Sequence, residues 1–174
     1  TSVRPDLVVK VPSNITDAEV AMVEPTAVAL HAVNLVDIKV GSKVLVIGAG
    51  IIGDLCALFA KMNGASYVTM SETNEKRGQK AVKLDCVDEW FDAKDKDFVS
   101  KARKKVPFGY DVVIDCCGNS PAVTSGLMCA KPNGKVILVG VSYEPITIPS
   151  TLIVLQELNI KGSIGYLKID FDDI

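Results

Sequence analysis

The sequence predicts an α/β fold built on a doubly wound parallel sheet of six strands, and three observations support this prediction. Apolar runs alternate with amphipathic runs from Lys43 onward, as expected for a parallel sheet wrapped by helices. The first run, Lys43–Ile47, is almost wholly apolar, which is typical of a central strand buried on both faces. Apolar residues make up 48% of the 174 residues, which is enough for a substantial core.

The individual elements can be placed along the chain. Strands are expected at residues 43–47, 67–70, 87–91, 111–115, 135–139 and 158–162. Helices are expected at residues 53–62, 75–84, 97–104, 121–130 and 152–156, with a turn at residues 131–134. Six strands joined by right-handed crossovers complete the order 3-2-1-4-5-6.

A glycine loop follows the first predicted strand and opens a helix. Gly48, Gly50 and Gly53 match the pattern G-x-G-x-x-G, with Ile51 and Ile52 between the last two. In this pattern the first glycine permits a tight turn, the second lets a pyrophosphate approach the backbone, and the third lets helix and strand pack closely. The phosphates lie on free N–H groups at the helix start. The alternative is a glycine-rich turn without a ligand, but the strand–loop–helix context predicts a dinucleotide-binding Rossmann fold.

An acidic residue at the end of the second strand bears on the choice of cofactor. Glu72 lies about two dozen residues beyond Gly48, where an acid accepts hydrogen bonds from the adenine ribose hydroxyls. A carboxylate there would repel the extra phosphate of NADP by several kcal/mol at ~4 Å. Glu72 therefore favours NAD. Arg77 follows shortly after, and an arginine there can pair with such a phosphate, but we expect Arg77 to cover the adenine face or to be solvated. The alternative for Glu72 is an exposed loop acid.

Charge and cysteine content exclude several classes of protein. The formal charge of −2 argues against a nucleic-acid-binding protein. The longest apolar stretch, residues 44–52, is broken by glycines and is too short to cross a membrane. The five cysteines have no C-x-x-C spacing, which indicates reduced thiols and neither a disulfide framework nor a zinc knuckle. Together with the lack of a secretory signal, this predicts a cytoplasmic protein.

The first residues stand apart from the strand–helix alternation. Residues 8–11 are predicted to form an isolated strand. Thr16 and Glu19 have the spacing of a capping box that starts a short helix. Pro25 suits the first position of a second helix that ends near Val36. We expect residues 1–36 to be the end of a preceding catalytic domain with a linking helix, and residues 37–174 to be the NAD-binding domain.

Several motifs together resemble the medium-chain, zinc-containing alcohol dehydrogenases, and in particular their sorbitol, threonine and butanediol dehydrogenase branch. The similarity runs through nearly the whole chain in the family's order. The segments that carry it are residues 24–33, 48–53, 111–118, 135–140 and 160–163.

The resemblance implies hydride transfer between NAD(H) and a secondary alcohol or ketone, with a zinc ion that polarises the substrate oxygen. The resemblance carries over no catalytic side chain. Glu72 and Arg77 match the family's adenosine-binding acid and base. The other cofactor-binding residues implied are Cys116 and Gly118 beside the adenine ribose, Val139, Gly140 and Val141 under the nicotinamide, and Ser163, Ile164 and Gly165 near its carboxamide.

Glu24 is the single metal-ligand candidate, because it falls on the family's later acidic or cysteine ligand position. The proline after it predicts an extended conformation at a helix start, from which the carboxylate points across the domain cleft. The alternative is an acid that only favours a helix N-terminus. We expect no zinc on this chain by itself. His31, the sole histidine, is predicted to have a structural role at the domain junction.

Substrate and assembly are less closely determined. Polyol dehydrogenases tend to have an arginine before the tyrosine that matches Tyr166, whereas this chain has Gly165, which argues against a polyol substrate. Residues 144–149 alternate apolar side chains between prolines, which predicts an edge strand. The resemblance implies a homo-dimer or homo-tetramer formed through this edge. The competing hypotheses are a zinc-free, NADPH-dependent reductase and a nucleotide-binding module without chemistry.

Overall fold

Six parallel strands form one sheet in the order β3-β2-β1-β4-β5-β6, which confirms the predicted topology. The computed structural model describes residues 3–5, 8–172 and 174, so part of the predicted N-terminal segment lies outside the described residues. The strands are β1 Lys43–Ile47, β2 Tyr67–Glu72, β3 Glu89–Asp92, β4 Tyr110–Asp115, β5 Ala130–Leu138 and β6 Asn159–Gly162. The helices are α1 Asp17–Asn34, α2 Ile51–Met62, α3 Glu75–Ala81, α4 Phe98–Lys105, α5 Ser120–Cys129, α6 Ser150–Gln156 and α7 Lys168–Asp172.

The core lies on both faces of the sheet, with β1 at its centre. Successive side chains of a strand point to opposite faces. Val44 and Val46 therefore enter one core cluster, together with residues of α1 and α2. Leu45 and Ile47 enter the other, together with residues of α4 and α5. All four side chains are at most 2% exposed, which explains why this strand is apolar without alternation.

A single helix, α1, stands where the sequence predicts two. The predicted capping box is confirmed, because Thr16 and Glu19 satisfy each other's backbone N–H groups. The prediction that a new helix begins at Pro25 is wrong, since Pro25 lies inside α1. A proline within a helix costs about 3 kcal/mol. The buried alanines of α1 pack in the same core cluster as residues of α2, and this packing offsets the cost. In addition, the Thr26 hydroxyl donates to the Met22 carbonyl at 2.6 Å.

The turn predicted before the fifth strand lies inside β5. Tyr110 of β4 is level with Ala130, but Val112 is already level with Lys135, so the intervening residues of β5 bulge out of the ladder. Asn133 has a φ of 58°, the left-handed conformation expected of a turn residue. The local turn signal is therefore correct, but it interrupts a strand and does not precede one.

The predicted edge strand at residues 144–149 is wrong. This segment forms neither strand nor helix. Ile146 and Ile148 pack against the second core cluster, and Thr147 donates its N–H to the hydroxyl of Ser120 at 3.0 Å. The apolar residues of this segment alternate because Ile146 and Ile148 cover the core of the domain itself. The edge strand next to β5 is β6 instead.

The remaining differences are smaller. The predicted strand at residues 8–11 is absent, and these residues are exposed coil. Strand β2 extends two residues further than predicted and so includes Glu72. Helix α1 packs against α2, while the proposed boundary between residues 36 and 37 remains a prediction. No helix within the described ranges is long and apolar enough to cross a membrane. All five cysteines are free thiols.

Candidate functional site

The carboxyl ends of β1, β2 and β4 surround a cavity of about 320 Å³. At this point the order of the sheet reverses, and doubly wound sheets bind their ligands at such a switch point. The wall of this cavity includes Ile47, Ser71, Glu72, Thr73, Cys117 and Asn119. A larger cavity of about 430 Å³ lies at the opposite, amino end of the strands, where lysines and aspartates pair with one another. Glu72 and Ile47, the residue directly before the glycine loop, line the first cavity, which is therefore the candidate site.

The glycine loop has the geometry that the sequence predicts. Gly48 has a φ of +100°, a conformation that other residues rarely adopt. A Cβ on Gly53 would lie 1.9 Å from the carbonyl oxygen of Gly48, so only glycine permits this close packing of helix and loop. A Cβ on Gly50 would meet nothing within 4 Å. The space above Gly50, at the N-terminus of α2, is thus open to a ligand.

Glu72 is bound to the glycine loop through hydrogen bonds. Its carboxylate accepts from the backbone N–H groups of Ala49, at 2.9 Å, and Asn74, at 2.8 Å. The hydroxyl of Thr73 donates to it at 3.2 Å. Burial by itself raises the pKa of Glu72, but the three donors outweigh it and hold the pKa below its ordinary value. The carboxylate is therefore ionised at neutral pH.

Arg77 takes no part in the wall of this cavity. It lies in the first turn of α3, where its backbone N–H is capped by the Asn74 side chain at 3.2 Å. Its side chain is exposed. Lys96, which the sequence reasoning did not single out, is the basic residue of the cavity wall.

The end of β4 is organised by a buried carboxylate that sequence reasoning missed. Asp115 is fully buried and accepts the N–H groups of Cys117, at 3.2 Å, and Gly118, at 2.9 Å. Its backbone carbonyl accepts from Val139 and Gly140. Burial raises the pKa of Asp115, while the two N–H groups act against the rise. Asp115 thus joins the β4 and β5 ends of the site. An acid closing an apolar strand three residues before a glycine is the signal that could have revealed it.

Two thiols follow Asp115, and Cys116, which was expected beside the adenine ribose, is not the one that lines the cavity. Cys117 lines the cavity, whereas Cys116 packs against the core of α2. A hydrogen bond with Cys56 and burial raise the pKa of Cys116 well above its ordinary value. Burial raises the pKa of Cys117 to about 11. Both thiols are therefore protonated at neutral pH, which does not suit a nucleophile.

The residues expected under the nicotinamide lie at the ends of β5 and β6. Gly118 and Gly140 approach so closely that a Cβ on Gly140 would lie 2.2 Å from the Gly118 nitrogen. Ser163 donates its backbone N–H to the Leu138 carbonyl at 2.9 Å, which holds the loop after β6 beside β5. Val139 is partly exposed, and Val141 and Ile164 are largely exposed. Gly165 lies in the left-handed region, with a φ of +55°.

Glu24 differs from its prediction in conformation. It lies within α1, neither extended nor near a helix N-terminus, so the predicted conformation and the helix-cap alternative are both wrong. Its exposed side chain lines a cleft of about 450 Å³ together with Phe171 and Asp172. The described ranges contain no group of three or more His, Cys, Asp or Glu side chains placed to hold a metal. The residues of this chain therefore do not by themselves fit a zinc ion.

A dinucleotide does fit the residues present. The open space above Gly50 would receive a pyrophosphate, and Glu72 uses three of its roughly four lone-pair sites, which leaves one for a ribose hydroxyl. The Ser71 hydroxyl lines the cavity, is buried and has no hydrogen-bond partner among the residues described. An orphaned buried hydroxyl is costly unless a ligand or water pairs with it. Fold and loop together define a dinucleotide-binding Rossmann domain.

Comparison with known proteins places this domain in a family. Residues 52–174 match the family model described as zinc-binding dehydrogenase. The chain is 34% identical to a Bombyx mori sorbitol dehydrogenase over 157 residues, 88% of this chain and 45% of that protein. It is 32% identical to a Saccharomyces cerevisiae D-xylulose reductase over 174 residues, 97% of this chain and 48% of that protein. This chain belongs to the medium-chain zinc-binding dehydrogenase family, and it spans about half the length of these relatives.

Solved structures show the same relationship. The 2R,3R-butanediol dehydrogenase of Bacillus subtilis superposes with a TM-score of 0.84 at 31% identity, covering 93% of this chain and 46% of that one. A Sinorhizobium meliloti 1021 structure bound to NADP superposes with a TM-score of 0.83 at 30% identity, covering 92% of this chain and 48% of that one. The predicted family and Rossmann fold are confirmed.

Proposed function

We propose that this chain is the NAD(H)-binding part of a zinc-dependent oxidoreductase that transfers hydride between the cofactor and a secondary alcohol or ketone. The observation that carries the proposal is the position of Glu72, ionised and hydrogen-bonded to the glycine loop at the switch point of the sheet. The relatives named as sorbitol dehydrogenase and D-xylulose reductase support the class of reaction.

Each group of residues has a proposed task in binding. Gly48, Gly50 and Gly53, with Ile51 and Ile52, present the N–H groups of α2 to the pyrophosphate. Glu72 accepts an adenine ribose hydroxyl and disfavours a 2′-phosphate by charge repulsion. Arg77 covers the adenosine end from outside, and Gly118 flanks the ribose, with Cys117 of the cavity wall in the place expected of Cys116.

The nicotinamide is proposed to lie at the end of the site opposite to the adenosine. The surface for its ring consists of Val139, Gly140 and Val141, and the groups for its carboxamide are Ser163, Ile164 and Gly165. When bound, the nicotinamide supplies the hydride chemistry, and the protein orients the ring and excludes water from one of its faces.

The metal and the assembly are proposals that extend beyond this chain. We propose that Glu24 faces a zinc site whose other ligands lie in the remaining half of the protein. The proposed assembly is a homo-dimer or homo-tetramer, and the proposed location is cytoplasmic, in keeping with the free thiols.

A second candidate is an NADPH-dependent reductase, which the NADP-bound structure from Sinorhizobium meliloti favours. Lys96 in the cavity wall and Arg77 nearby are the residues that would pair with the extra phosphate. Titration with both nucleotides separates the two candidates. Trp90 is the one tryptophan of the chain and donates its indole N–H to the Glu72 carbonyl at 3.4 Å, so its fluorescence reports on this site.

We expect the chain to bind NADH at least about tenfold more tightly than NADPH, a difference of about 1.4 kcal/mol. Glu72→Gln should reduce this preference, and Glu75→Gln, an exposed acid of α3, should leave it unchanged. Equal or reversed affinity in the wild type would overturn the NAD assignment. In the full-length protein, alcohol-dependent NADH production together with bound zinc would exclude a nucleotide-binding module without chemistry.

A further inference from the structure

The single histidine joins two distant parts of the chain. His31 Nδ1 lies 2.8 Å from Asp170 Oδ2, across a separation of 139 residues. The side chains are 14% and 6% exposed, so water competes little for this hydrogen bond. Burial raises the pKa of Asp170, but donation from the Leu167 N–H and from His31 outweighs it, and the net pKa is lowered. An ionised carboxylate only accepts, so His31 donates from Nδ1.

Asp170 also fixes the beginning of helix α7. Its carboxylate accepts the backbone N–H of Leu167 at 2.8 Å, which closes the first turn of α7. The loop of residues 163–167 precedes this turn. The other end of the loop is held by the Ser163 N–H on the Leu138 carbonyl at 2.9 Å. Both ends of the loop are therefore anchored by one hydrogen bond each, with Gly165 at a φ of +55° between them.

The anchor on α1 has a further consequence for geometry. His31 follows Glu24 by two turns of α1, so both side chains project from the same face of that helix. Helix α7 packs along this face, since Phe171 and Asp172 share the cleft with Glu24. One rigid helix thus carries the proposed metal-facing acid and the anchor of the proposed nicotinamide loop.

We propose that His31 is a positioning residue, which through Asp170 holds the loop of residues 163–167 in the conformation that receives the nicotinamide half of the cofactor. This inference rests on the proposed function, because it requires a nicotinamide dinucleotide at the site. The adenosine half is bound at the other end of the site by the glycine loop and Glu72. Loss of the anchor should therefore weaken binding of the nicotinamide half alone.

Paired titrations on the chain itself test this division. ADP-ribose contains the adenosine, pyrophosphate and second ribose but no nicotinamide, whereas NADH contains all of them. In His31→Leu we expect the affinity for NADH to fall by about fivefold, the effect of losing one ordinary hydrogen bond. The affinity for ADP-ribose should change by less than about twofold. Asp170→Leu should act in the same way.

Two further variants separate positioning from general stability. His31→Asn retains an N–H donor near the place of Nδ1, so we expect it to restore most of the NADH affinity. Asn34→Ala removes only a 3.5 Å contact with Asp170 and serves as the matched control, with both affinities unchanged. The ADP-ribose titration also verifies that each variant is folded.

The outcomes are distinct. Equal loss of both affinities in His31→Leu would make His31 an ordinary stabilising residue, and no loss of either would remove its role; each overturns the inference. Failure of the wild type to bind ADP-ribose and NADH would instead overturn the proposed function. NADH loss alone, restored by His31→Asn, supports the inference.

Discussion

The carboxylate of Glu72 and the backbone N–H of Ala49 form a 2.9 Å hydrogen bond between the end of β2 and the glycine loop. The same side chain therefore has two tasks: it shapes the loop, and it is proposed to accept a ribose hydroxyl. A substitution of Glu72 should consequently affect both stability and cofactor choice. The first effect is measured by unfolding experiments and the second by nucleotide titration.

The first prediction concerns the stability contribution of Glu72. Its pKa in the folded protein lies below the ordinary value of 4.5, so its contribution is fully present above about pH 4.5 and is lost as the pH falls through the folded pKa. We expect Glu72→Gln to reduce the free energy of unfolding at about pH 7 and to have less effect at an acidic pH, well below the ordinary value of 4.5. Urea unfolding followed by Trp90 fluorescence measures this. A difference that is the same at both pH values would contradict the prediction, and Glu75→Gln is the control.

The second prediction contrasts two glycines of the loop. Gly50→Ala should leave the melting temperature nearly unchanged, because its Cβ meets no atom within 4 Å, but it should weaken NADH binding by filling the space for the pyrophosphate. Gly53→Ala should instead destabilise the fold by about 1–3 kcal/mol or more, because its Cβ would overlap the Gly48 carbonyl. Gly162→Ala, also free of neighbours within 4 Å, is the matched control. Unchanged NADH affinity in Gly50→Ala would place the phosphates elsewhere.

The third prediction concerns Glu24 in the full-length protein. Glu24→Ala should lower turnover by about tenfold or more and weaken zinc retention, the usual effect of removing a ligand or its supporting partner. NADH affinity should not change, because Glu24 lies in a different cavity from Glu72. Steady-state kinetics and metal analysis decide the matter, with Glu75→Gln as the control. Wild-type turnover and zinc content would show that Glu24 is only an exposed acid of α1.

The fourth prediction transfers the expected oligomer contact from residues 144–149 to β6. Successive backbone N–H groups of a strand point to alternate sides. Because the Ser163 N–H points toward β5, the N–H of Gly162 points outward from the sheet edge. Antiparallel pairing of two β6 edges would use this N–H. We expect the wild type to sediment as a dimer at high concentration and Gly162→Pro, which lacks the N–H, to shift toward monomer. A monomeric wild type would remove support for this contact, and Gly162→Ala tests for effects of the side chain alone.

The sequence by itself predicts most of the architecture. The alternation of apolar and amphipathic runs gives all six strands and their order, because burial on both faces of a parallel sheet leaves a pattern within each short segment. The glycine loop and Glu72 are also predicted, since a tight turn, a close helix contact and an acid after β2 each restrict the residue type locally.

The errors share one cause, which is that local signals do not reveal distant partners. Pro25 indicates a helix start, but packing of α1 on the core overrides it. The alternation in residues 144–149 is real, yet the surface that covers Ile146 and Ile148 is the domain's own core. The role of Asp115 likewise requires β5 to lie beside β4, which one strand's sequence does not show.

The sequence alone therefore determined the fold class, the family and the glycine loop, each of which depends on residue types within a few turns or strands. Only the tertiary structure decided what His31 contacts, since its partner Asp170 is 139 residues away. Hydrophobic periodicity records whether a side chain is buried, whereas a hydrogen bond between two buried polar groups depends on the relative position of whole elements, which exists only after the chain has folded.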